Sequence, residues 1–236
     1  MGFKLQSMIK HIFFDLDHTI WDFDRNAHET LMELYEIHKL KELGLICAET
    51  FISTYTVNNH QLWAQYHLGQ IDKQTLRQER FRKTFLELGL APELIPTQFE
   101  EDFVNIGPTK KNLFESAEKV LGYLQDKYHL HIISNGFKEA TLTKMQVSNL
   151  NPYFKNVVIS EDAGVNKADK AIFEHALNLA QAQKHESIMI GDSLEADIYG
   201  AQNFGIKAIF FNPLKAQKPD DVEQQIHHLE ELLNHF

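Results

Sequence analysis

Asp15 and Asp17 stand one residue apart at the end of the apolar run Ile12-Phe13-Phe14, a spacing suited to phosphoryl transfer. On an extended strand these two positions leave on the same side, so one carboxylate can attack while the other handles protons. A strand that merely ends in an acidic turn gives the same short pattern without any chemistry. Three later segments tilt the balance towards a site. The apolar residues 130–133 lead into Ser134-Asn135-Gly136, residues 157–159 into Ser160 and onward to Lys167, and residues 188–190 into Gly191-Asp192. In an open parallel sheet, side chains at the carboxyl ends of the strands converge on one crevice, so these groups can share a site although they are distant in sequence.

The elements that must position them follow from periodicity. Residues 21–24 read as a loop, and residues 27–43 carry apolar positions 31, 34, 37, 40 and 43 at helical spacing. Helical pattern continues over 49–67 and 73–88 before Pro92 and Pro96 break the chain, and no strand is expected between 20 and 105. From 106 onward helix and strand alternate. Helices are expected near 116–127, 138–147, 169–182 and 194–204, and strands at 129–133, 156–159, 187–190 and 206–210, with a short edge strand at 223–227 and a helix at 229–234. The fold class is therefore α/β: a parallel-sheet core formed by residues 1–24 and 107–236, with an all-helical insertion over 25–106 and natural hinges at both crossings.

Composition limits what this chain can do. At 236 residues and 43% hydrophobic it can bury a substantial core. Its 33 acidic against 23 basic residues give a formal charge of -10, which opposes binding to nucleic acid or to an anionic membrane surface. A small anionic substrate then needs a local positive site. The single cysteine, Cys47, excludes an intrachain disulfide and a cysteine metal cluster, and fits a reducing compartment. Met1-Gly2-Phe3-Lys4-Leu5-Gln6-Ser7 is too short and too weakly apolar for a secretory leader and lacks the serine or threonine of a myristoylation signal. With no stretch long enough to span a membrane, a soluble, cytoplasmic protein is expected. Oligomeric state is open.

Taken together, Asp15-x-Asp17-x-Thr19, Ser134, Lys167 and Gly191-Asp192-x-x-x-x-Asp197 resemble the four motifs of the haloacid dehalogenase superfamily of phosphohydrolases. The resemblance spans nearly the whole chain, and it implies a Rossmann-like core with a helical cap that sets substrate specificity. It further implies that Asp15 is the nucleophile, giving an aspartyl-phosphate, and that Asp17 serves as acid and then base. Mg²⁺ would be held by Asp15, the main-chain carbonyl of Asp17 and Asp192. Lys167 would neutralise the nucleophile and the transferring oxygens, Ser134 would donate to one of them, and Asn135 and Gly136 would add backbone donors. Thr19 is expected to orient Asp17 and brace its loop, Asp197 to hold a metal-bound water or Lys167, and Glu195 to face solvent. The chain departs from the common pattern at His18, where glycine is frequent, and at Ala168, where proline is usual. His18 reads as structural or solvated.

The superfamily's dehalogenases lack the second aspartate, so Asp17 argues for a phosphate ester. Asn58, Leu62-Trp63, Tyr66, Gly69 and Arg80-Phe81 resemble the cap of the pyrimidine 5'-nucleotidase branch, as do Asp22-Phe23-Asp24, Asn135-Gly136-Phe137 and Phe210-Phe211-Asn212-Pro213. That resemblance implies a small phosphorylated substrate, a pyrimidine nucleoside 5'-monophosphate. Trp63, Tyr66 or Phe137 would stack on the base and Arg80 would meet the base or sugar. Helical spacing already explains Trp63 and Tyr66 as ordinary cap core, which is the favoured reading of either residue taken singly. A sugar-phosphate phosphatase, a phosphomutase and a noncatalytic phosphate-binding regulator are the alternatives.

Overall fold

The computed structural model describes residues 9–236, so the expectation for Met1-Gly2-Phe3-Lys4-Leu5-Gln6-Ser7 lies outside the described residues. The chain divides into two compact units, one formed by the residues up to Asp22 with Lys111–Phe236, the other by Phe23–Lys110. The crossings thus fall two residues before and four residues after the boundaries expected from the sequence.

The first unit opens with β1 (His11–Phe14), whose four residues are all buried. A strand covered on both faces has no solvent side to alternate with, which is why the run reads as continuously apolar. The chain enters the helical unit, described below, and returns through α5 (Ala117–Gln125), β2 (His129–Ser134), α6 (Lys138–Val147) and β3 (Asn156–Ile159). After the short α7 (Ser160–Ala163) come α8 (Lys170–Ala180), β4 (Ser187–Gly191), α9 (Gly200–Phe204), β5 (Lys207–Phe211), β6 (Gln225–Ile226) and α10 (Leu232–His235). All strands are parallel, in the order β3-β2-β1-β4-β5-β6. Phe14 lies in register with Ile132 on one side and Ile190 on the other. Strands β2 and β3 build outward from β1, after which β4, β5 and β6 build outward on its opposite side. The order therefore reverses between β1 and β4, and the crevice at their carboxyl ends is the switch point at which such sheets place ligands.

Phe13, Ile133, Val158 and Met189 pack on Ile172 and Phe173 of α8 and on Ile198. Leu194–Tyr199 forms a π-helical turn rather than the α-helix that periodicity predicts, with Ile198 N donating to Ser193 O at 3.1 Å. The wider turn follows a local competition: the Asp197 carboxylate folds back to accept from Ser193 N at 3.1 Å. Such turns are frequent at functional sites.

In the second unit, α1 (Phe23–Ile37) begins and ends earlier than its apolar pattern suggests. Lys39 takes a left-handed conformation (φ 49) and closes the helix, with Lys39 N donating to Glu36 O and Leu40 N to Tyr35 O. Leu40 is still fully buried, so its place in the pattern is kept by a turn instead of a helix. The α2 (Ala48–His67) and α3 (Lys73–Glu87) helices follow, the latter capped by Asp72, whose side chain accepts from Thr75 N. A helix not anticipated from sequence, α4 (Phe99–Ile106), starts just after Pro96. Glu100, Glu101 and Asp102 in its first turn complement the helix dipole, while Phe99 and Phe103, one turn apart, enter the core. That core is aromatic: Tyr55 and Phe81 stack with centroids 4.9 Å apart, and Phe81 meets Phe99 edge-on at the same distance. Among the described residues no helix is long and apolar enough to cross a membrane.

Candidate active site

The carboxyl ends of β1, β2 and β4 bring Asp15, Ser134 and Asp192 to one edge of the sheet, and Asp15 N donates to Ile190 O at 2.9 Å across the switch point. Lys167, arriving on the loop before α8, is 2% exposed. Its ammonium donates to Asp15 Oδ1, lies 2.7 Å from Asp197 Oδ1, and donates to the Ile133 carbonyl at 2.7 Å. A buried cation is tolerable only among anions and carbonyls, and Lys167 meets two carboxylates and one carbonyl. Burial pushes its pKa down, but Asp15 and Asp197 outweigh that, so the amine stays charged.

Asn135 fixes where that ammonium begins. Its Oδ1 accepts from Lys167 N at 2.7 Å and its Nδ2 donates to Lys167 O at 2.9 Å. Sequence reasoning assigned Asn135 only backbone donors, whereas its side chain is engaged with the Lys167 main chain. Ser134 Oγ accepts from Gly136 N at 3.0 Å, leaving the hydroxyl proton to donate elsewhere. A Cβ at Gly136 would lie 2.8 Å from Thr141 Oγ1, 3.0 Å from Ser134 Oγ and 3.2 Å from Asp17 Oδ2, so this close approach requires glycine. Gly191 is under the same constraint, with Asp197 Oδ2 only 2.2 Å from where a Cβ would stand.

Oxygens of Asp15, Asp192 and Asp197 lie within 4.8 Å of one another. Burial, then Asp197 and Asp192, push the Asp15 carboxyl well above its usual range despite Lys167. Burial and Asp197 push Asp192 up to about 7, against the pull of Lys167 and a hydrogen bond from Thr19. Three carboxylates sharing one ammonium are short of positive charge, and every donor is a hard oxygen. Both facts fit a hard divalent cation, which Asp15 and Asp192 would hold. Asp197, 1% exposed and engaged with Lys167 and Ser193 N, is committed to holding the lysine.

Thr19 is fully buried and donates to Asp192 Oδ1 at 3.2 Å, so it braces Asp192 rather than Asp17. His18 adopts φ 62, which accounts for a preference for glycine at this place in the loop. Glu195 is exposed. Phe137 is 8% exposed and precedes the first residue of α6, a position with little surface to offer a ligand.

Asp17 has a partner that sequence reasoning missed. Its Oδ1 accepts from Lys144 Nζ at 2.6 Å, and that ammonium lies 4.3 Å from the Trp21 ring centroid. The available signal was a lysine on the buried stripe of α6, between Thr141 and Met145.

In the helical unit, Trp63 and Tyr66 are half-buried and meet edge-on at 5.4 Å, with His67 5.5 Å from Trp63. They lie outside the apolar core of that unit. Arg80 does not fit the substrate-contacting part expected of it. It is 3% exposed, lies over Phe103 at 4.8 Å, and gives Nε and Nη2 to Glu100 at 2.9 and 2.7 Å. An arginine among aromatics needs a bidentate carboxylate, and Glu100 supplies it. Asn58 is likewise internal, its Nδ2 donating to Thr84 Oγ1 and Glu87 Oε2.

A model of the haloacid dehalogenase-like hydrolases matches residues 9–205. The chain is 31% identical over 207 residues to pyrimidine 5'-nucleotidase PynA of Streptococcus pneumoniae, covering 86% of this chain and 84% of that protein. It is 29% identical over 228 residues to pyrimidine 5'-nucleotidase YjjG of Escherichia coli, covering 94% and 96%. Among solved structures, that of YfnB from Bacillus subtilis bound to magnesium superposes with a TM-score of 0.85 at 26% identity, covering 97% of this chain and 98% of that one.

Proposed function

Since the chain belongs to the haloacid dehalogenase-like hydrolases, we propose that it is a Mg²⁺-dependent phosphatase of nucleoside 5'-monophosphates, with pyrimidines preferred. The observation that carries the phosphatase reading is the buried Asp15–Lys167–Asp197 chain, with Asp17 on the same loop and a second buried ammonium on its carboxylate. The nucleotide preference is supported by the two nucleotidases that align over most of their length.

The Asp15 carboxylate attacks phosphorus, forming an Asp15 O–P bond as the P–O bond to the nucleoside breaks, and Asp17 gives its proton to the departing alkoxide. Asp17, now a carboxylate, takes a proton from water, whose oxygen attacks the phosphorus of the acyl phosphate. Inorganic phosphate leaves and Asp15 is restored. Lys167 holds positive charge against Asp15 and the transferring oxygens throughout, and Ser134 donates to one of those oxygens. Asp15, the main-chain carbonyl of Asp17 and Asp192 would hold Mg²⁺, which when bound supplies the charge that draws an anionic nucleophile and an anionic phosphate together. Selection among leaving groups is assigned to the helical unit, with Trp63 and Tyr66, outside its apolar core, as the candidates.

The test is phosphate release from a panel of nucleoside monophosphates and sugar phosphates with Mg²⁺, using Asp15→Asn as the blank. Selective turnover of UMP, dUMP or dTMP supports the reading. Preference for sugar phosphates moves the assignment to that substrate class, and no turnover anywhere leaves a phosphate-binding regulator.

A further inference from the structure

Lys144 lies two turns into α6, the helix that directly follows the Ser134-Asn135-Gly136 loop. Its side chain is 7% exposed, and its ammonium is 2.6 Å from Asp17 Oδ1 and 4.3 Å from the Trp21 ring centroid. Trp21 is itself anchored: its amide donates to Leu16 O at 2.8 Å and its carbonyl accepts from His18 N at 2.9 Å. A charged amine is costly to bury for packing alone, because any apolar side chain of similar length would fill the same space without desolvation. Its placement makes sense as a fixed arm reaching back from α6 to the loop after β1.

We infer that Lys144 is a positioning residue that fixes which oxygen of Asp17 faces the reacting group. With Oδ1 drawn to Lys144, Oδ2 is turned towards the Ser134–Gly136 side, 3.2 Å from where a Cβ at position 136 would stand. Ser134 Oγ stands 3.0 Å from the same position. One segment, residues 134–144, thus supplies both the hydroxyl offered to a phosphoryl oxygen and the arm that orients the carboxyl for proton transfer. Proton transfer falls off steeply with misplacement, so losing the arm reduces proton delivery while leaving phosphate recognition in place.

This inference rests on the reading of Asp17 as the acid and base, and the experiment separates the two. Lys144→Met, Lys144→Gln, Lys144→Arg and Asp17→Asn are assayed in the full chain with Mg²⁺ on a nucleoside 5'-monophosphate, whose leaving alkoxide needs a proton, and on p-nitrophenyl phosphate, whose leaving group does not. Because kcat/KM reports steps up to departure of the leaving group, it isolates the acid step. For Lys144→Met and Lys144→Gln the expected loss in kcat/KM is about 100-fold on the nucleotide but under about fivefold on the aryl ester, with KM changed less than about threefold. Lys144→Arg, which keeps the charge, should recover most of the loss. Equal losses on both substrates, a loss confined to KM, or no loss overturns the inference, and thermal melts identify variants that fail to fold. If both neutral variants are unfolded, Lys144→Arg decides alone: the loss it retains falls on the nucleotide and not on the aryl ester if the inference holds, and an equal effect on both substrates, or none on either, overturns it. If Asp17→Asn discriminates between the substrates and the lysine variants do not, only the role of Lys144 fails. If Asp17→Asn does not discriminate, the reading of Asp17 fails first.

Discussion

Asn135 and Lys167 exchange two hydrogen bonds, Lys167 N to Asn135 Oδ1 at 2.7 Å and Asn135 Nδ2 to Lys167 O at 2.9 Å. A single amide thereby satisfies both main-chain groups of the residue whose ammonium holds Asp15. Asn135→Ala leaves a buried donor and a buried acceptor unpaired, costing about 2 kcal/mol of stability. It also loosens the ammonium, and kcat should fall about 30-fold, a loss of about 2 kcal/mol in transition-state stabilisation. Urea melts and phosphate release check the two effects separately.

The shortage of positive charge around Asp15, Asp192 and Asp197 makes a prediction about metal that needs no turnover. Added Mg²⁺ should raise the melting temperature, by an amount equivalent to about 2.7 kcal/mol when the ion is present at about 100 times its dissociation constant. Asp192→Asn should lose most of that rise. Chelation should abolish phosphate release, and Mg²⁺ should restore it. A melting temperature unmoved by the ion would contradict the arrangement.

Much of this architecture is legible because each strand is short, apolar and bounded by helical periodicity, and because Asp15, Ser134 and Asp192 each stand at or just past a strand end. Other features depend on contacts that spacing does not encode. The proline-flanked stretch concealed α4, whose apolar face is carried mainly by Phe99 and Phe103. Arg80 reads as a ligand-binding residue until Glu100, on that unanticipated helix, is seen to meet it. Lys144 and Asp17 lie 127 positions apart, and only the tertiary fold brings them together.

Glu100 should therefore matter for stability and not for substrate choice. Glu100→Ala leaves Arg80 charged and buried without its carboxylate, and breaking such a pair costs about 3 kcal/mol or more. The melting temperature should drop by several degrees, while KM for a nucleotide in the folded fraction changes by less than about twofold. A large KM change at unaltered stability would return Arg80 to the substrate site.

Trp63 and Tyr66 are half-exposed and meet edge-on, and under the nucleotidase reading one of them stacks on the base. Replacing either with alanine should raise KM for UMP about tenfold and leave p-nitrophenyl phosphate nearly untouched, since stacking on a base contributes about 1 kcal/mol or more. Steady-state kinetics on both substrates decide the matter. Equal effects on the two would assign the pair to packing.

His131 supplies a pH dependence that is independent of catalysis. Its Nδ1 is 3.0 Å from Asn156 Nδ2 and its Nε2 is 3.1 Å from His11 Nδ1, so the bonds are satisfied by a neutral ring that accepts from the amide and donates to His11. Burial, with His11, His129 and Lys155 nearby, lowers its pKa from 6.5 to about 3. Between those values the unfolded chain binds a proton that the folded chain refuses, so stability falls as pH drops through 6.5 and the loss saturates near 3. At pH 5 this one ring costs up to about 2 kcal/mol relative to neutral pH. His131→Gln keeps hydrogen-bonding groups but cannot be protonated. Its urea-derived stability should accordingly change less between pH 7 and pH 5 than that of the parent, and parallel curves would mean that His131 is not the group that titrates.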